Sequence, residues 1–261
     1  MKIISYSLFG DTDSFEFPFY LRGFYFNLRM NQLIYPSWQT SLHVSTEVYD
    51  RYQNLLHELW IAMPFFTHIM PPAPKCEAML WRLLPMYRED VTHVICRDAD
   101  AITTYREAQA VQEWEDSGLG AHGITDDPAH TIPIMGGMCG FKADKFRKLF
   151  PDFRSLIGKA NLKDHGSDQN LLMQRVYPLV KNDMMGHFFK GCKERVKDNR
   201  ESVYKEVPGV SPKLWESNLT CRMIGSPGVV DMELLRFFTR FDNRLKYNLF
   251  EEKYPKIFYW I

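Results

Sequence analysis

The chain has 261 residues, 45% of them hydrophobic and 15% aromatic, with 32 basic and 32 acidic side chains and a formal net charge of zero. That length supports one large α/β domain or two small ones, and the balanced charge excludes a protein built as a wholesale polyanion binder. Five scattered cysteines, Cys76, Cys96, Cys139, Cys192 and Cys221, with no Cys-x-x-Cys, argue against a zinc centre or disulfide scaffold and for a reducing compartment. Met1 to Leu8 is too short and too soon followed by charge to be a signal peptide. No apolar run approaches the roughly 20 residues that span a bilayer, so a soluble, cytoplasmic protein is expected.

Lys2 to Leu8 reads as a first strand, stopped by Phe9-Gly10-Asp11. A turn after the first strand is where α/β nucleotide-binding sheets present backbone to a ligand, which makes Leu8 and Gly10 candidates for ligand contact. Phe15 to Ile34 has helical spacing at Leu21, Phe24 and Leu28, and Trp38 to Ser45 alternates like a strand. Thr46 to Trp60 is helical, with Thr46 as N-cap, and a third strand lies near Phe65 to Met70. Lys75 to Arg88 then reads as a helix with an apolar stripe, leading into a strand at Val91 to Asp100. Strands alternating with helices to this point predict a mainly parallel sheet flanked by helices.

Tyr105 to Ser117 is a further amphipathic helix ended by Gly118-Leu119-Gly120, and Ala121 to Thr125 is short enough for an edge strand. Ile132 to Phe141 reads as a strand whose Gly136-Gly137 marks a close backbone approach. A helix follows from Ala143 to Phe150, and another from Asp168 to Tyr177 with Ser167 as N-cap. From Lys181 onward the pattern weakens into an irregular C-terminal part. No repeat or linker divides the chain, so one domain is expected over residues 1–261, with 1–100 the nucleotide-binding half and 101–261 a second half with the C-terminal extension.

The chemistry concentrates where the apolar strand Val91 to Cys96 ends in Arg97-Asp98-Ala99-Asp100. Two carboxylates one residue apart repel each other, and each is costly to desolvate. A divalent cation such as Mg²⁺ or Mn²⁺ relieves both problems, because hard ions take oxygen ligands and keep positions open for a phosphate. A solvated turn after a strand is the simpler alternative for Asp-x-Asp taken alone.

Four features stand in order: Asp98-Ala99-Asp100, Gly136-Gly137 about forty residues on, Asp168-Gln169 about thirty beyond, and a late Gly186-His187. This order resembles the GT-A glycosyltransferases, and within them the glycogenin and bacterial galactosyltransferase type. The wording Arg106-Glu107, Glu113-Trp114, Asp127-Pro128, His130, Ile134 to Gly140 and Tyr177-Pro178 is similar to bacterial and viral members of the group. The likeness covers Met1 to His187 and fades beyond.

The resemblance implies a GT-A fold and a metal-dependent transfer of a hexose or pentose from a nucleoside-diphosphate sugar, a UDP-sugar above all, with Mn²⁺ or Mg²⁺ as cofactor. It implies Asp98, Asp100 and His187 as metal ligands, and donor contacts at Arg82, Arg97, Asp98, Gly136, Gly137 and His130. Asp168, Gln169 and Asp127 would face the reacting sugar. The chain lacks the longer His-x-x-Gly-x-x-Lys-Pro-Trp ending of the glycogenin type, and Cys139 stands where bacterial relatives carry Trp.

For the acceptor, residues 140–205 hold 15 Lys and Arg against 8 Asp and Glu. A saccharide hydroxyl is the usual acceptor for this resemblance. Hydroxymethylated cytosine in phage DNA is the alternative, since basic side chains supply sequence-independent affinity for its backbone. The competing class is a non-catalytic nucleotide-sugar-binding module. A phosphohydrolase is a third option, disfavoured because no further carboxylate cluster would hold a second metal.

Overall fold

The computed structural model describes residues 1–126, 132–188 and 203–206. One eight-stranded sheet runs in the order β3-β2-β1-β4-β6-β5-β7-β8. Its strands are β1 (Lys2–Leu8), β2 (Gln39–Ser45), β3 (Phe66–Met70), β4 (His93–Arg97), β5 (Ala121–Thr125), β6 (Met138–Lys142), β7 (Met184–Phe188) and β8 (Val203–Glu206). β1 pairs in parallel with β2 and β4, β2 with β3, β5 with β7, and β7 with β8. β6 alone among these strands runs antiparallel to both its neighbours, β4 and β5. The sheet is therefore mainly parallel, and helices cover both faces.

Period-two alternation sorts the strand residues between two helical layers. Ile4, Tyr6, Leu8 and Ile95 pack with α1 (Phe17–Ile34), α2 (Thr46–Ala62) and α4 (Tyr105–Ser117). Ile3, Val94 and Cys96 pack on the opposite face with α3 (Lys75–Leu80), the 3-10 segment Trp81–Tyr87, α5 (Ala143–Leu149), α6 (Phe153–Ile157), α7 (Ser167–Leu171) and α8 (Tyr177–Val180). In β1, β2 and β4 residues on both faces are buried, as parallel sheets require, while the edge strand β3 is largely exposed. Every residue of α1 from Leu21 to Asn31 is buried, so it is a core helix rather than an amphipathic surface one. Among the described residues, no helix is long and apolar enough to cross a membrane.

Several local expectations are corrected. Ala121 to Thr125 is an interior strand between β6 and β7, not an edge. The expected strand from Ile132 begins only at Met138, because the Met138 N–H donates to Met135 O at 3.0 Å and closes a turn that holds Gly136-Gly137. Ser45, not Thr46, caps α2: its hydroxyl accepts from the Val48 N–H at 3.4 Å, while Thr46 Oγ1 donates to Met70 O. At α7 the N-cap is Gly166 at φ 79°, a left-handed geometry that suits glycine and displaces Ser167 from the role. The helix over Lys75 to Arg88 tightens into 3-10 geometry at Trp81, ahead of Pro85. The helix from Asp168 widens into a π-turn at Leu172–Val176 just before Pro178, which has no N–H to donate. β7, in the stretch expected to be irregular, is fully buried.

Candidate functional site

In the parallel half of the sheet, β1, β2 and β4 end on one rim, and their following loops close a cavity of about 590 Å³. Ser7 to Asp11 come from the end of β1, Ser45 to Glu47 from β2, Pro72 to Lys75 from the segment after β3, and Asp98 to Asp100 from β4. Glu16 and Tyr20 from the α1 side, with Trp81 and Arg82, complete the wall. This is the crevice where open α/β sheets place ligands. Leu8 is buried in the wall, and Gly10 turns away at φ 117° with no atom near its missing side chain.

Asp98, Ala99, Asp100 and Ala101 form one tight turn, with the Ala101 N–H donating to Asp98 O at 3.2 Å. Asp98 continues the Val94-Cys96 alternation and pairs with Arg82 Nη1, whose guanidinium is buried while the Asp98 carboxylate is half exposed. The two glycines fit against this pair. A Cβ on Gly136 would lie 2.6 Å from Arg82 Nη2, and one on Gly137 would overlap the Asp98 carboxylate. Their close approach is thus already occupied by the ion pair of the site itself.

Gln169 ties the same turn to α7: Gly136 N–H donates to Gln169 Oε1 at 3.2 Å, and Gln169 Nε2 donates to Ile134 O at 2.5 Å. Asp168, beside it in the first turn, is buried, and its carbonyl accepts the Leu172 N–H.

Among the described residues, Asp100 has no ion-pair partner. Burial, and then the charge of Asp98, push its carboxyl up to about 6. Among the described residues, five carboxylates line the cavity, Asp11, Glu16, Glu47, Asp98 and Asp100, against the two cations Lys75 and Arg82. An anionic ligand entering alone would meet a net negative wall, whereas a divalent cation would offset both that field and the stress on Asp100. The all-oxygen donor pair suits Mg²⁺ or Mn²⁺. Phe9 and Trp81, edge to face at 6.0 Å between centroids, add a flat apolar wall that the sequence reading did not single out, as it did not single out Lys75.

Two candidates fall elsewhere. Arg97, on the opposite alternation from Asp98, points into the α1–α4 layer and is buried. It donates from Nε to Glu107 Oε1 at 2.7 Å and from Nη1 to Cys96 O and Cys139 O, so it braces Glu107 rather than the aspartates. His187 lies on β7, three strands from β4 and so roughly 14 Å away, and faces α4 for the same reason. There its Nδ1 sits 2.9 Å from His122 Nε2 and its Nε2 3.3 Å from Glu113 Oε2, with His122 stacked on Trp114. Among the described residues, no third His, Cys, Asp or Glu joins Asp98 and Asp100 in a metal-holding group. Asp127 and His130 lie outside the described residues. Asp126, beside them, is held by Arg106 through two bonds of 2.9 and 3.0 Å.

No family model and no curated protein matches the sequence. Solved structures that align with this chain include a 4-diphosphocytidyl-2C-methyl-D-erythritol synthase from Anaerococcus prevotii, at TM-score 0.46 and 8% identity over 77% of this chain and 93% of that one. A mannosyltransferase from Pyrobaculum calidifontis in complex with GDP-Man and Mn²⁺ aligns at TM-score 0.46 and 13% identity, over 79% of this chain but only 56% of its own length. A candidate nucleotide-diphospho-sugar transferase from Desulfovibrio desulfuricans aligns at TM-score 0.42 and 8% identity, over 98% and 96% of the two chains. Likeness at this level of overlap and identity assigns neither a family nor an activity to this chain.

Proposed function

We propose that the chain is a metal-dependent glycosyltransferase of GT-A type, moving a sugar from a nucleoside-diphosphate sugar to a hydroxyl acceptor. One observation carries this reading: Asp98 and Asp100 share a single turn at the carboxyl end of β4 and open into a cavity built by the loops after β1 and β2. Asp98 and Asp100 would hold the cation; His187, engaged across the sheet with His122 and Glu113, is outside this set. Such a cation, when bound, offsets the negative charge that builds on the departing diphosphate.

The chain's own residues do the rest. Arg82, fixed by Asp98 and fitted under Gly136, holds a permanent positive charge at the rim. Lys75 lies on the same cavity and adds a second. Phe9 and Trp81 offer an apolar surface for a base, and Leu8 and Gly10 bring the end of β1 against the nucleoside. Gln169 holds the Gly136 turn in place, and Asp168 beside it is the described carboxylate proposed to face the reacting sugar, with Asp127 and His130 proposed from the loop before it. Uracil as the base follows the resemblance of the sequence. A saccharide is the proposed acceptor, and the basic segment 140–205 makes a DNA hydroxyl the variant to test by salt titration, since phosphate contacts lose affinity steeply with salt.

The deciding experiment is calorimetry with a panel of nucleoside diphosphates and their sugars, with and without Mn²⁺, on the native chain and on Asp100→Ala. Binding of one nucleotide that needs the metal and weakens by about tenfold or more in the variant is expected. No binding by any of them sinks the reading. Tight donor binding with neither transfer nor slow donor hydrolysis would instead favour the non-catalytic module.

A further inference from the structure

Helix α1 carries Gly23, Asn27 and Asn31 at four-residue spacing, a single stripe of its surface. Leu21, Phe24, Phe26, Leu28 and Met30 surround it, so two amides stand in the core where apolar side chains would be the default. All three stripe residues meet the segment from Asp98 to Thr103. A Cβ on Gly23 would overlap the Ala99 carbonyl and lie 2.9 Å from Asp100 Cα, so the helix backbone rests directly on the turn. Asn27 Nδ2 donates to Ala99 O at 3.0 Å, and Asn27 Oδ1 accepts from Thr103 N–H at 2.9 Å and from Thr103 Oγ1 at 3.1 Å. Asn31 Oδ1 lies 3.1 Å from the same hydroxyl and shares its one proton with Asn27 Oδ1, while Asn31 Nδ2 donates to Tyr6 OH and to Thr40 Oγ1, each at 3.1 Å. The stripe is thereby anchored to β1 and β2.

The chemistry of the amide matches the task. β4 ends at Arg97, so the Ala99 carbonyl and the Thr103 N–H leave the sheet ladder and need partners where water does not reach. One donor and one acceptor on a single rigid side chain satisfy both, on either side of Asp100. Aspartate would lack the donor, and leucine, of similar size, would lack both.

We propose that Asn27 is a positioning residue that fixes the Asp98-Ala99-Asp100 backbone so that both carboxylates are presented to one divalent cation. The inference rests on the reading of Asp98 and Asp100 as the cation's ligands. Partners that orient metal ligands from behind act on affinity without touching the ion.

The test is a titration with Mn²⁺ alone, followed by paramagnetic resonance of the free ion, on the full chain, Asp100→Ala, Asn27→Leu and Thr103→Val, with urea unfolding run on each. The expected result is Mn²⁺ bound by the native chain, binding lost in Asp100→Ala, and affinity weakened about tenfold to a hundredfold in folded Asn27→Leu. Thr103→Val keeps the N–H contact and loses the hydroxyl ones, so a smaller loss in the same direction is expected; it carries the test if Asn27→Leu does not fold. A residue that served only the stability of the fold would lower the unfolding midpoint and leave the Mn²⁺ affinity of the folded protein unchanged, and that result overturns the inference alone. Native protein that binds Mn²⁺ no better than Asp100→Ala overturns the metal reading and the inference together.

Discussion

Asp100 is the residue on which the charge balance of the cavity falls, since Asp98 has Arg82 and Asp100 has no cation of its own among the described residues. Burial and the charge of Asp98 push its carboxyl up to about 6 from the ordinary 3.8, so between these the native state binds the proton more readily than the unfolded chain. The stability this supplies is fully present below about pH 3.8 and is lost as pH rises through about 6, leaving the ionised carboxylate as a cost at neutral pH. Asp100→Asn removes that cost. In metal-free protein it should raise unfolding free energy at pH 8 by on the order of 1 kcal/mol, a figure discounted for the side of the residue that faces the cavity. Near pH 4 the two proteins should be equally stable. Urea denaturation at both values checks it, and a gain that is the same at both would show that the charge of Asp100 is not what is relieved. The expected companion is loss of metal-dependent binding, a residue kept against stability for the sake of its site.

At the scale of elements, β4 shows how one strand serves two purposes. Its even positions, Val94 and Cys96, lead to Asp98 and the cavity, while its odd positions, Ile95 and Arg97, face the layer of α1 and α4. The Arg97–Glu107 pair locks α4 to the strand, with Tyr35 OH donating to the same Glu107 oxygen at 3.2 Å. Both side chains are almost wholly buried, so breaking the pair leaves an uncompensated charge in the core. Glu107→Leu should therefore cost about 3–5 kcal/mol, whereas Arg97→Met with Glu107→Leu should lie much closer to the native protein. Equal losses in the single and double variants, measured by denaturant unfolding, would refute this account of the pair.

The same strand marks what could be read from residues alone. Asp98 and Asp100 stood out as a candidate site because carboxylates after an apolar run pose an energetic problem in any fold. Arg97 was not, since its partner depends on which side of the sheet it faces, and one residue reverses that. Gly136-Gly137 announced a close approach without naming the Arg82–Asp98 pair that makes it. Asn27 stayed silent because an amide in a helix is unremarkable until the helix is known to be buried all round. β7 was missed because Met184-Met185-Gly186-His187 has neither alternation nor β-branched residues, the signals a half-buried strand carries and a doubly covered one does not need.

For the whole molecule, the cavity lies where separate parts of the chain converge: the loops after β1, β2 and β4, the residues before α3, and the 3-10 segment that carries Arg82. These come from both helical layers and from strands spread across the parallel half of the sheet. A ligand bridging them binds a geometry that exists only when sheet and layers are assembled, so it stabilises the native state by linkage. At a hundredfold excess over its Kd, the cognate nucleoside diphosphate with Mn²⁺ should add about 2.7 kcal/mol. For a chain of this size that is a rise in Tm of about 5–10 °C. The same mixture with a chelator should give a much smaller rise, because the cavity wall without a cation is net negative and repels the diphosphate. Asp100→Ala should respond to neither mixture with the full shift. Thermal melts across these four combinations separate a metal-bridged site from plain nucleotide binding: an equal rise with the chelator present would mean that Arg82 and Lys75 alone hold the phosphates, and that the two aspartates have some other work to do.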